Sequence, residues 1–216
     1  MSDESLFREV DEEVRADEFK RLWQRYGNYI TAVALGVVIA VAAFKLWQYW
    51  QVKQAEQAAE TYFAAAKLAN EDKTEDALRG FAVVTHAGYK QLADLRQAAL
   101  LAKTGKIAEA VKAYDSFAAS AADASLRDLA RIRAAYLLSD TLKPDELIAR
   151  IGMLDQEAGS YRHAAREIFG LSAFRTGDHS LAQRYMEAIV NDAEATPSMK
   201  KRARIVLQLL EPKLAK

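Results

Sequence analysis

The chain has 216 residues, with 30 basic and 30 acidic side chains and therefore no net charge. That balance argues against a dedicated nucleic-acid binder, which carries a basic excess. The absence of cysteine excludes disulfides and thiolate metal sites. With nine glycines and three prolines there are few helix breakers, so the expected fold class is all-α.

The first element is an apolar helix. Tyr29 to Phe44 carries no charge, and Thr31 is its one aliphatic hydroxyl. Extended toward Tyr26 and Leu46, the run reaches the roughly 20 residues that cross a bilayer. Trp23, Tyr26 and Tyr29 stand at one end and Trp47, Tyr49 and Trp50 at the other, the arrangement of interfacial aromatic belts. Ala40-Val41-Ala42 has the small-residue spacing of a signal-peptidase site. The region before the run, however, holds eight acids and is unlike a short basic leader. A retained anchor over 24–50 is the expectation, between a tail at 1–23 and an outer domain at 51–216. Arg8, Arg15, Lys20, Arg21 and Arg25 precede the span and Lys45 and Lys53 follow it, which predicts a cytoplasmic N-terminus. Ala32, Gly36 and Ala40 form a small-residue stripe suited to close approach of another membrane helix.

From Gln51 onward, apolar residues recur at three- and four-residue spacing. Breaks are expected near Asn70, Gly88, Gly105, Asp123, Pro144, Gly159, Gly177 and Pro197. A small-then-large pair repeats as Ala77/Phe81, Ala110/Tyr114 and Ala182/Met186, with a weaker version, Leu147/Ile151, falling between the last two, at successive spacings of 33, 37 and 35 residues. These are close to the roughly 34 of a tetratricopeptide repeat. The same register puts Ala65, Ala98, Ala135 and Gly170 at the small site of each unit's first helix, where the helices of one unit cross closely. Leu68, Leu101 and Leu138 follow three residues on, with Ala173 the exception. The reading is a helical solenoid of four divergent pairs, 54–87, 91–120, 125–157 and 161–194, closed by a capping helix at 198–211. Lys200, Lys201, Arg202 and Arg204 form the polar face of that cap.

No glycine-rich phosphate loop, nucleophile elbow or HExxH stretch occurs, so the chain reads as non-enzymatic, with no cofactor. His163 and Glu167 stand at i, i+4, a spacing that is far more often a surface contact than a metal site.

Several segments carry a family resemblance: Phe19-Lys20-Arg21-Leu22-Trp23, Tyr26-Gly27-Asn28-Tyr29, the aromatic exit Lys45-Leu46-Trp47-Gln48-Tyr49-Trp50, and the divergent repeats behind them. Together they resemble the YfgM-type tetratricopeptide-repeat family of bacterial inner-membrane proteins. The motif's aromatic start is replaced by Thr61, Asp94, Arg131 and Arg166, and its closing proline is missing. The resemblance implies an ancillary subunit of the SecYEG translocon with a periplasmic repeat domain. It also implies association with a membrane-anchored periplasmic prolyl isomerase chaperone, and help in releasing unfolded secreted clients. In this register the concave face includes Tyr62, Leu95, Ile132, Tyr136, Leu171 and Phe174, apolar enough to hold a client or partner helix. Packing between neighbouring helices accounts for the same residues. A scaffold for cell-envelope assembly or division, holding folded partners through its repeats, is the alternative function.

Overall fold

The computed structural model describes residues 3–214, with side chains for 20–212 other than Leu22. The acids of the tail, Arg8 and Arg15 therefore lie outside the described side chains. The regular structure among the described residues is helical: α1 (Asp3–Asn70), α2 (Thr74–Ala82), α3 (Ala87–Lys103), α4 (Ile107–Ser120) and α5 (Ala124–Leu138). After them come α6 (Pro144–Ile151) with a 3-10 turn at Gly152–Leu154, α7 (Arg162–Thr176), α8 (His179–Asn191) and α9 (Pro197–Leu214). The chain divides into two compact units, residues 1–56 and 57–216.

The first unit is the leading part of α1. Its apolar stretch is long enough to cross a membrane, and none of it is buried within the protein. Tyr29, Val33, Val37, Phe44 and Trp50 are all exposed. In water an exposed apolar surface of this extent is strongly unfavourable, whereas hydrocarbon removes that cost. Thr31 donates its hydroxyl to the carbonyl of Gly27 at 2.8 Å, so the one aliphatic hydroxyl of the stretch is satisfied inside the helix. No break separates the apolar stretch from the first repeat helix. Residues 51–60 contain neither glycine nor proline and are rich in strong helix formers, so α1 continues to Asn70.

The second unit stacks helix pairs. The end of α1 pairs with α2, α3 with α4, α5 with α6 and α7 with α8, and α9 packs on α8 and α7. These are the four pairs and the cap that the repeat spacing predicts. Each small-then-large pair is buried: Ala77 with Phe81, Ala110 with Tyr114, Leu147 with Ile151, Ala182 with Met186. The small sites Ala65, Ala98 and Ala135 are buried against them. Gly170 is tighter still, since a Cβ there would stand 2.5 Å from Met186 Cε.

The turns explain why the pairs fold back. Gly105 and Gly177 take left-handed backbone angles, φ 78° and 83°, just after α3 and α7. Asp72 occupies the corresponding place after α1 with φ 58°, an unusual conformation for a residue with a Cβ. Lys103 donates to its carboxylate at 2.7 Å, tying the first turn to the second pair. Asp123 and Asp178 cap α5 and α8, accepting from Leu126 N and Leu181 N. Pro144 sits in the first turn of α6, where its missing N–H costs nothing.

Candidate partner-binding face

The first helix of each pair (the end of α1, then α3, α5 and α7) supplies the candidate face. Small side chains at 65, 98, 135 and 170 bring the second helices close behind it. Each first helix therefore turns one stripe to its partner and another outward.

The structure places the six sequence-derived residues in separate layers between helices. Tyr62 is buried, its ring 5.7 Å from that of Phe81 and 5.8 Å from that of Tyr89. Ile132 is buried with Leu147, Ile151 and Phe169. Leu95 is half-buried against the Ala98 and Tyr114 layer, and Leu171 against Met186 and Ile189. Phe174 is half-buried beside Ala173 and Ala182, 6.3 Å from the ring of His179. Tyr136 is half-buried and is drawn into a polar network described below.

A different stripe reaches solvent. Two residues before each small site stand Phe63, Arg96, Arg133 and Ile168. The first three are exposed, and Ile168 is fully buried beside Leu147 and Phe169. The fourth unit differs because α5, α6, the 3-10 turn, α8 and α9 all pack on α7. A signal for the open stripe was present in the repeat register, since one shift of two positions finds it. Its members share no residue type, which hides the periodicity.

Between α1 and α3 lies a shallow cavity of about 160 Å³. Ala66, Ala69 and Ala99 make its walls, and Asn70, Arg96 and Lys103 its rim. Phe81 and Leu100 close the bottom. Toward the start of α3, the Phe63 ring lies 6.4 Å from that of Tyr89, and Leu92 is exposed.

The charged network sits at the opposite end of the stack. Glu167 of α7 is buried. It accepts from Tyr136 Oη at 2.6 Å and from Arg202 Nε and Nη2 at 2.5 and 2.8 Å. Burial opposes its charge, but hydrogen bonds from Arg202 and Tyr136 outweigh that and hold the carboxyl below its usual value. Burial, and then the Glu167 carboxylate, push the Tyr136 phenol well above its usual value, so it remains a neutral donor. Arg162, also buried, donates to Asp192 at 2.9 and 3.2 Å and to Glu194 at 2.6 Å. Those bonds, with the Glu194 backbone N–H and His163, hold Asp192 far below the ordinary carboxylate range. His163 Nε2 lies 2.9 Å from Asp192 Oδ2. His163 and Glu167, four apart on α7, thus turn to different partners. Arg202 holds Glu167 from the exposed face of the cap, where Lys201 and Arg204 also stand. Among the described residues, no three His, Asp or Glu side chains converge as a metal site would require. The network is structural, clamping α5, α7 and α9.

Residues 20–211 match the tetratricopeptide repeat-like domain family. The chain belongs to that family. The match covers the apolar stretch of α1 as well as every helix pair. No curated protein and no solved structure matches the chain. Tetratricopeptide repeat-like domains are protein-interaction modules, because stacked helix pairs present an extended surface to other chains. The open stripe on α1, α3 and α5 is the part of this domain that fits that use.

Proposed function

We propose that the chain is a single-pass inner-membrane protein whose tetratricopeptide repeat-like domain lies in the periplasm. There it serves the SecYEG channel as an ancillary subunit. Its repeats hold a membrane-anchored prolyl isomerase chaperone and assist the release of secreted chains. The observation that carries the reading is an unburied apolar stretch leading directly into an interaction domain. A module built this way holds its partners at the membrane surface, where a translocated chain emerges. The lysines and arginines before the span support a cytoplasmic N-terminus. The resemblance of the anchor region to the YfgM-type family supports the channel as the partner. Ala32, Gly36 and Ala40 are open in the folded chain, and a Cβ on Gly36 would meet nothing within 4 Å, so a channel helix has room to approach there.

The test is co-purification of the full chain from membranes in mild detergent. Recovery of channel subunits and a prolyl isomerase in defined proportion supports the reading. Recovery of envelope-assembly or division proteins without channel subunits replaces it with the scaffold function.

A further inference from the structure

The cap helix α9 carries a face that the packing of the repeats does not use. Its Ala203 and Leu210 are buried, and Met199, Val206 and Leu207 pack into the layers of Ala182, Met186 and Ile189. Its other side shows Arg204, Gln208, Lys201, Ile205 and Leu209, all exposed. At about 100° per residue, these five follow one another in that order within an arc of about 140°. A basic and polar row therefore runs beside an apolar row. A capping helix needs a polar outer face. Ile205 and Leu209, 48% and 53% exposed, depart from that need.

The charge of α9 has no internal account either. Residues 197–216 hold six bases and one acid, in a chain whose total charge is zero. Arg202 is held by Glu167. Lys201 and Arg204 make no hydrogen bond or ion pair with any described residue. Lys53, Lys73, Lys90 and Lys103, by contrast, each meet a carboxylate of this chain. The first turn of α9 contains no acid. A helix's own partial positive charge disfavours cations there, so Lys200 and Lys201 do not serve helix stability.

We propose that the outer face of α9 docks on the anionic lipid headgroups of the membrane that holds α1. A basic row beside large aliphatic side chains is the pattern of a helix lying in a bilayer interface. Lipid phosphates meet Lys201 and Arg204, while Ile205 and Leu209 enter the boundary with the acyl chains. The apolar stretch of α1 supplies the second argument, because an anchored domain meets its own bilayer at high effective concentration. A second copy of α9 fits less well, since its excess of bases repels an identical helix. This inference rests on the membrane anchor in the reading above and needs none of its protein partners.

The test uses the full chain in nanodiscs that hold one chain each. Their lipid is phosphatidylcholine alone or an equal mixture with phosphatidylglycerol, and each contains a spin-labelled lipid as quencher. The chain has no cysteine, so one substitution gives one labelled position. A fluorophore on Gln208→Cys should be quenched in the mixed discs and not in the neutral ones, and added salt should relieve the quenching. A fluorophore on Lys112→Cys, on α4, should stay unquenched in both. Lys201→Gln with Arg204→Gln should lower the ratio of docked to free cap about 25-fold, at roughly fivefold for each basic side chain near an anionic surface. Unchanged melting of that pair excludes misfolding as the cause. No quenching at position 208 in mixed discs, equal quenching in neutral discs or at position 112, or quenching undiminished by the paired substitution overturns the proposal. Energy transfer between labelled caps in vesicles, without quenching in the single-chain discs, assigns the face to a second copy and overturns it too. A fluorophore on Val38→Cys separates the two readings. If position 38 is quenched in both lipids and position 208 in neither, the cap assignment falls and the anchor stands; if neither position is quenched, both fall.

Discussion

Tyr136 on α5 donates its hydroxyl to Glu167 on α7 over 2.6 Å, across 31 residues of sequence. Arg202 of α9 holds the other side of the same carboxylate. One buried acid therefore joins the third repeat, the fourth repeat and the cap. Glu167→Ala leaves Tyr136 and Arg202 without their acceptor, and should destabilise the repeat domain by about 2–3 kcal/mol. The pH dependence has a defined sign. The folded-state pKa of Glu167 is lowered, so its contribution is fully present above the ordinary carboxylate value of about 4.3. It is lost as pH falls through that value toward the folded one. Melting followed from pH 7 to pH 3 should show a smaller acid-induced loss in Glu167→Gln than in the parent.

The small sites give a graded test of the helix crossings. Ala98 and Ala135 are fully buried, and leucine at either overpacks a crossing at a cost of about 1–3 kcal/mol. Two glycines separate rigid from yielding neighbours. A Cβ on Gly80 would stand 2.8 Å from Ala65 Cβ, which cannot move without its helix. A Cβ on Gly170 would meet the far end of Met186, which can turn away. Alanine gains about 1 kcal/mol of helix propensity at each. Gly80→Ala should therefore lower the melting temperature, and Gly170→Ala should leave it nearly unchanged.

The repeat architecture was legible because helix pairs of fixed length bury the same positions in each unit. Ala77, Ala110, Leu147 and Ala182 are buried for one geometric reason, and glycine or a tolerant aspartate marks the turns at 72, 105 and 177. The candidate face was less legible. An apolar residue near an interhelical boundary has the same spacing whether it faces a partner or the next helix, and Tyr62 and Ile132 prove to be core. Tyr62→Ser should accordingly cost about 3 kcal/mol or more of stability, read as a lowered melting temperature. The charged network was hidden for another reason. Arg162 with Asp192, and Glu167 with Arg202, are 30 and 35 residues apart, and no local pattern distinguishes them from solvated charges.

The anchor carries its own prediction. Protease added to the outer side of intact inner membranes should digest residues beyond the span and spare the tail. Cleavage of the repeat domain only from the cytoplasmic side reverses the assigned topology.

Site-specific photocrosslinking in living cells tests the central claim most directly. A photoreactive residue at Leu92 or Arg133 samples the outward stripe of the first helices, and one at Lys112 or Glu187 samples exposed positions on the second helices. Discrete adducts with channel subunits or a prolyl isomerase are expected from Leu92 and Arg133 and not from Lys112 or Glu187. The reverse pattern, or no adduct with either protein from any of the four positions, contradicts a translocon-associated role carried by this face.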